Sequence, residues 1–163
     1  MTDAIYDSLQ NHIPANATFL AERLLAEKDT EEVRGLLAEC YMAENKHYKV
    51  YYILKDCKSE SNRYKYAVSC VKIGKFKDAE RALLGSDLQK ISNRFDNVPN
   101  GSFGLNLLGV ISEKLLKFNE AKEYYTKALE ANPTLWNAYE KIGKISECIT
   151  PVKVFADNKM RVY

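Results

Sequence analysis

Between Ser102 and Pro133, small and bulky residues fall at offsets that suit two helices packed closely side by side. Counting Ser102 as position one, Leu105, Leu108, Gly109 and Ser112 stand at four, seven, eight and eleven. Ala121, Tyr125, Ala128 and Pro133 follow at twenty, twenty-four, twenty-seven and thirty-two. Apolar residues recurring every three or four positions mark the inward face of a helix. The same offsets return elsewhere. From Glu31 they select Leu37, Ala38, Tyr41, Val50 and Leu54; from Glu60 they select Tyr66, Ala67, Cys70, Ala79 and Leu83, with Gly74 in the turn; from Trp136 they select Tyr139, Ile142, Gly143 and Ser146. The four starts are 29, 42 and 34 residues apart.

This pattern resembles the tetratricopeptide repeat, a helix–turn–helix unit of about 34 residues. In the Ser102 unit the usual Trp and first Tyr are replaced by Leu105 and Ser112. The spacing has a packing reason. Position eight (Ala38, Ala67, Gly109, Gly143) and position twenty (Val50, Ala79, Ala121) are expected where paired helices approach, and a larger side chain there would force them apart. Position twenty-four (Leu54, Leu83, Tyr125) is expected to fill the space between hairpins. The fold class that follows is all-α, a tetratricopeptide-repeat (TPR) superhelix of stacked antiparallel helix pairs.

The 163 residues suit one domain, 1–163. An upstream helix pair is expected over 3–28, read as Asp3–Gln10 and Thr18–Lys28 with Pro14 separating them and Asp29-x-x-Glu32 starting the next helix. Repeats begin near 31, 60 and 102. Residues 87–101, with three Asn, a Pro and a Gly, read as an insertion of a short helix and a loop. A final helix over 136–148 ends at Thr150-Pro151, leaving a tail, 151–163. Seven Gly and four Pro leave room for long helices.

Little here suits catalysis, and the chain reads as a non-enzyme with no catalytic, metal or cofactor residues. No phosphate-binding loop, zinc-protease motif or nucleophile elbow occurs. His12 and His47 lack partners at metal-ligand spacing, and His47 reads as a solvated turn residue. Cys40, Cys57, Cys70 and Cys148 contain no C-x-x-C pair; Cys40 and Cys70 read as small buried hydrophobes. With 24 Lys+Arg against 22 Asp+Glu the net charge is +2, so no nucleic-acid partner is expected. No apolar run is long enough for a membrane span, and the start lacks a signal-peptide pattern, so an intracellular protein with reduced thiols is expected.

Repeat arrays commonly offer their inner face to a peptide or helix. First-helix positions two, five, nine and twelve supply Gly35, Glu39 and Met42, then Tyr64, Val68 and Val71, then Phe103, Asn106, Val110 and Glu113. The groove candidates are therefore Met42, Tyr64, Val68, Val71, Phe103 and Val110, an apolar stripe that either receives a partner or fills the chain's own core. Glu39 and the Tyr64/Val68 wall are a poor match for the carboxylate-gripping chaperone adaptors, because a buried carboxylate there would lack a cation.

Three runs carry a closer resemblance: Phe19-Leu20-Ala21-Glu22-Arg23-Leu24, Leu36-Leu37-Ala38-Glu39-Cys40-Tyr41 and Asn132-Pro133-Thr134-Leu135-Trp136. In this order they resemble the N-terminal domain of the cell-division-cycle 27 family, subunit 3 of the anaphase-promoting complex (cyclosome), over roughly Ile5 to Phe155. The resemblance implies a nuclear, non-catalytic scaffold in a cell-cycle ubiquitin ligase, with other subunits of that complex as partners. It also implies a homodimer in which first helices lodge in the partner's groove. The apolar first helix, Ile5, Tyr6, Leu9 and Ile13, suits that role. The alternative is a TPR adaptor binding a hydrophobic helix or peptide of another protein.

Overall fold

A computed structural model describes residues 1–85, 95 and 97–145. Its described residues form helices and no strands: α1 (Thr2–Gln10), α2 (Pro14–Glu27), α3 (Glu31–Ala43), α4 (His47–Leu54), α5 (Glu60–Lys72), α6 (Phe76–Leu84), α7 (Gly101–Lys114), α8 (Phe118–Ala131) and α9 (Trp136–Ile145). The chain divides into two compact units, Met1–Ala82 and Leu83–Tyr163. In the first, α1 packs on α2, α2 on α3, α3 on α4 and α4 on α5, while α3 also meets α5. In the second, α7 packs on α8, α8 on α9, and α7 also meets α9.

The turns repeat more faithfully than the side chains. His12, Asn45, Gly74 and Leu116 all take left-handed backbone angles (φ 57, 58, 78 and 62°). Each is followed by a residue whose N–H donates to the carbonyl five positions back: Ile13 to Ser8, Lys46 to Tyr41, Lys75 to Cys70 and Lys117 to Ser112, each at 2.8 Å. This closing pattern satisfies carbonyls orphaned at a helix end and reverses the chain sharply. The last three left-handed residues stand 29 and 42 residues apart, the same intervals as the repeat starts. Four helix pairs thus share one turn geometry, although a single glycine signals it in the sequence.

The core follows the small-residue positions. Ala38, Ala67, Val50, Ala79 and Ala121 are fully buried, as are Leu54, Leu83 and Tyr125. Burying a leucine side chain contributes roughly 1.5–3 kcal/mol. Two packing expectations need correction. A Cβ on Gly109 would lie 2.5 Å from the Tyr125 ring, so Tyr125 packs against its own hairpin rather than only between hairpins. Gly143 is exposed, and among the described residues a Cβ there meets nothing within 4 Å, so no close approach among them accounts for it.

Several local readings also change. Pro14 does not separate helices; it opens α2, where its missing N–H is one the helix start leaves unpaired anyway. Thr30, not Asp29, caps α3, its hydroxyl accepting from the Val33 N–H at 3.4 Å. Asp29 instead forms a two-pronged pair with Arg34 at 2.6 and 2.7 Å. At the end of the expected insertion, Val98 and Pro99 are buried, and the Pro99 carbonyl lies 2.0 Å from where a Gly104 Cβ would stand. The short helix expected within 87–101, the last residues of the expected 136–148 helix and the tail, 151–163, lie outside the described residues.

Candidate partner-binding surface

The amphipathic face of α1 is divided between its own core and the outside. Ile5 is wholly buried in the chain itself, so it does not belong to a free partner surface. Ser8 is buried beside it, donating to the Ala4 carbonyl at 2.7 Å and accepting from the Asn16 side chain at 2.8 Å. Leu9 is half-buried. Tyr6 and Ile13 are 46% and 53% exposed, and Phe19 at the middle of α2 is 55% exposed. What α1 leaves exposed is therefore Tyr6 and Ile13, bordered by the half-buried Leu9.

On α5, Tyr64, Val68 and Val71 recur at helical spacing and all are half-buried; Met42, on α3, is half-buried too. They form neither a bare stripe nor a sealed core. In the second unit Val110 is half-buried and Phe103 is 49% exposed, two turns apart on α7. The six expected groove residues thus fall into two sets, one in each unit.

The polar groups around these residues are more firmly tied than their types suggest. Gly35 is not a groove residue: it is buried, and a Cβ there would stand 2.3 Å from the Asn62 side chain. Asn62 reaches past it to donate to the Glu31 carbonyl at 2.8 Å. Glu39 pairs with Lys65 at 2.6 Å, and the Lys65 ammonium also donates to the Gly35 carbonyl at 3.3 Å. The Glu31 carboxylate accepts from the Ser59 and Lys58 N–H groups at the start of α5, which hold it below the usual carboxylate range against the opposing effect of burial. Three side chains, Glu31, Asn62 and Lys65, therefore stitch α3 to α5. Sequence reasoning passed over Asn62 and Lys65 because neither stands at a repeat-defining position.

In the second unit, Glu113 accepts from the Tyr125 hydroxyl at 3.0 Å and from Lys141 at 2.9 Å. Burial pushes the Glu113 carboxyl up, but these two donors and the Lys141 charge outweigh it, and it titrates below its ordinary value. Burial and the same carboxylate drive the Tyr125 phenol upward. The Asn137 amide donates to Asn106 at 3.0 Å, and Trp136, 66% exposed, lies tilted against Tyr139 with ring centres 5.2 Å apart.

Groups suited to chemistry are scarce in the described residues. No three His, Cys, Asp or Glu side chains gather as a metal site among them. Cys40 and Cys70 are fully buried, and burial pushes their thiols up to about 11 and about 12. His47 is not a solvated turn residue. It opens α4 half-buried, with Nδ1 3.3 Å from the Ser69 hydroxyl, and burial first, then the nearby Lys72 charge, lowers its pKa. No helix among the described residues is long and apolar enough to cross a membrane.

The family model described as anaphase-promoting complex, cyclosome, subunit 3 matches residues 10–86, and a tetratricopeptide-repeat model matches 102–135. Cell division cycle protein 27 homolog of Homo sapiens is 35% identical over 158 residues, which cover 93% of this chain. The chain belongs to the cell division cycle protein 27 family. Homolog B of Arabidopsis thaliana is 31% identical over 96% of the chain, and protein bimA of Emericella nidulans is 33% identical over 83%. The chain spans about a fifth of these relatives' length (19%, 20% and 18%). Among solved structures, the Cut9–Hcn1 hetero-tetramer of the anaphase-promoting complex/cyclosome superposes with a TM-score of 0.70 at 20% identity, covering 85% of this chain and 27% of that one. That likeness fixes the fold as all-α tetratricopeptide repeats.

Proposed function

We propose that this chain is a non-catalytic scaffold domain of the anaphase-promoting complex, a nuclear element of the cell-cycle ubiquitin ligase that self-associates and contacts other subunits of the complex. The observation that carries this reading is likeness to cell division cycle protein 27 homologues over 93% of the chain, including the stretch matched by the subunit 3 model. The exposed Tyr6 and Ile13 of α1 give self-association a surface, and the half-buried Tyr64, Val68 and Val71 of α5 give it a receiving face. Two aliphatic or aromatic side chains leaving water on each of two symmetric contacts supply a hydrophobic drive that needs no catalytic group.

The test is a double variant, Tyr6→Glu with Ile13→Glu, whose mass is compared with that of the unaltered chain. Because both side chains are exposed, the charges enter without being buried in the monomer. Ile5→Glu would be a poor choice, since that position lies in the chain's own core. The expected result is a folded monomer from a dimeric parent. An unchanged dimer would exclude this face. A second reading, an adaptor for a hydrophobic helix of another protein, draws on the exposed Phe103 in the second unit and predicts a monomeric parent.

A further inference from the structure

Two asparagines bridge the neighbouring helices α7 and α9 of the second unit. The Asn137 amide donates to the Asn106 side-chain oxygen at 3.0 Å, and neither side chain makes another hydrogen bond among the described residues. Asn137 is exposed and Asn106 half-buried. An asparagine side chain carries two N–H donors and an oxygen with two acceptor sites. The mutual bond uses one donor of Asn137 and one acceptor site of Asn106. The Asn106 NH2 group and the Asn137 oxygen stay open, a donor and an acceptor held side by side by two packed helices.

Apolar residues border this pair. Phe103 and Val110 stand one turn to either side of Asn106 on α7, and Trp136 immediately precedes Asn137 on α9. Phe103 and Trp136 are exposed and Val110 is half-buried. Water satisfies exposed amides well, so the rings matter: a ligand lying across them excludes it. Charge is nearly cancelled here. Glu113 meets Lys141 at 2.9 Å and Glu140 meets Lys144 at 2.7 Å. That leaves Lys114, in the last turn of α7, as the charged side chain of these two helices without an ion pair among the described residues.

We propose that this face binds an extended, uncharged segment of another protein, whose main-chain N–H and C=O pair with the Asn137 oxygen and the Asn106 NH2 group. An extended segment presents both groups along one edge, as it does to a neighbouring strand. A helix suits the pair poorly, because its main-chain groups are already bonded to one another. Charged side chains on the segment would lose water and meet carboxylates and ammonium groups that are already paired. The proposal rests on the adaptor reading given above and changes its ligand from a helix to an extended segment. Self-association through the first unit is compatible with it.

The test selects short random peptides, displayed on phage, against the full chain. Synthetic versions are then titrated by fluorescence polarisation on the parent and on Asn106→Ala/Asn137→Ala, a variant whose fold is checked by its melting curve. The selected peptides should be poor in charged residues and should bind the variant about three- to tenfold more weakly. Each peptide is also made with single backbone amides replaced by esters, which removes one N–H donor and nearly keeps the shape. One ester should weaken binding to the parent by a similar factor and leave binding to the variant unchanged, because its partner is already gone. Peptides that bind parent and variant equally, or that no ester weakens, overturn the proposal. If those peptides turn helical on binding and weaken with Phe103→Ala, the adaptor reading survives without it. Selection of charged peptides also overturns the proposal, and recovery of no peptide overturns both.

Discussion

Replacing Gly109 by alanine tests the close approach at the centre of the second unit. The new Cβ would stand 2.5, 2.6 and 2.8 Å from three carbons of the Tyr125 ring. Ordinary contact begins near 3.4 Å, so the ring or the helix has to give by roughly 1 Å. Tyr125 has little freedom to do so. It is fully buried, and its hydroxyl is tied to Glu113, which is itself held by Lys141. Overpacking of this kind costs about 1–3 kcal/mol, while the helix gains about 1 kcal/mol when alanine replaces glycine. The clash should win by up to about 2 kcal/mol, lowering the melting midpoint by up to about 8 °C. Gly143→Ala, at the same repeat position but with nothing near its Cβ among the described residues, keeps only the helix gain and should raise stability by up to about 1 kcal/mol. Circular-dichroism melting of the two variants beside the parent measures both. If Gly109→Ala melts at or above the parent, the packing argument for position eight is wrong.

Leu116→Gly should stabilise the chain by about 1 kcal/mol in urea denaturation, because Leu116 is exposed and held at φ 62°, where a Cβ is strained. Glu113 titrates below its unfolded value in the folded chain, so its stabilisation is complete above about pH 4.5 and is lost as pH falls through the folded pKa. Glu113→Gln should therefore lower the melting temperature at pH 7, with the gap to the parent closing as the pH falls below 4.5 and through the lowered folded pKa. Thiol titration of a Cys148→Ser chain should label the half-buried Cys57 before Cys40 and Cys70, which are fully buried with raised thiol pKa values.

The fold was legible because packed helix pairs restrict residue size at fixed offsets, and Ala38, Ala67, Val50, Ala79 and Ala121 display that restriction directly. The turns were less legible. Only Gly74 announces a left-handed residue, whereas Asn45 and Leu116 adopt the same geometry because the closing hydrogen bonds demand it. Pro14 misled in the opposite way, since proline both interrupts helices and starts them. The candidate partner surface was only partly legible. Helical spacing groups Ile5 with Tyr6, Leu9 and Ile13, but α2 already covers Ile5, and a pattern of apolar residues does not distinguish a chain's own core from a partner's. Gly35 illustrates the converse: a groove offset taken over by a neighbour, Asn62, whose reach depends on how α3 and α5 pack.

Self-association is the claim on which the scaffold reading turns, and the absolute mass in solution tests it most directly. Light scattering coupled to size exclusion, run over a dilution series of the unaltered chain, should return twice 18.6 kDa and hold that value on dilution. A mass of 18.6 kDa at every concentration would contradict it, and the exposed Tyr6 and Ile13 would then belong to a contact with a different protein.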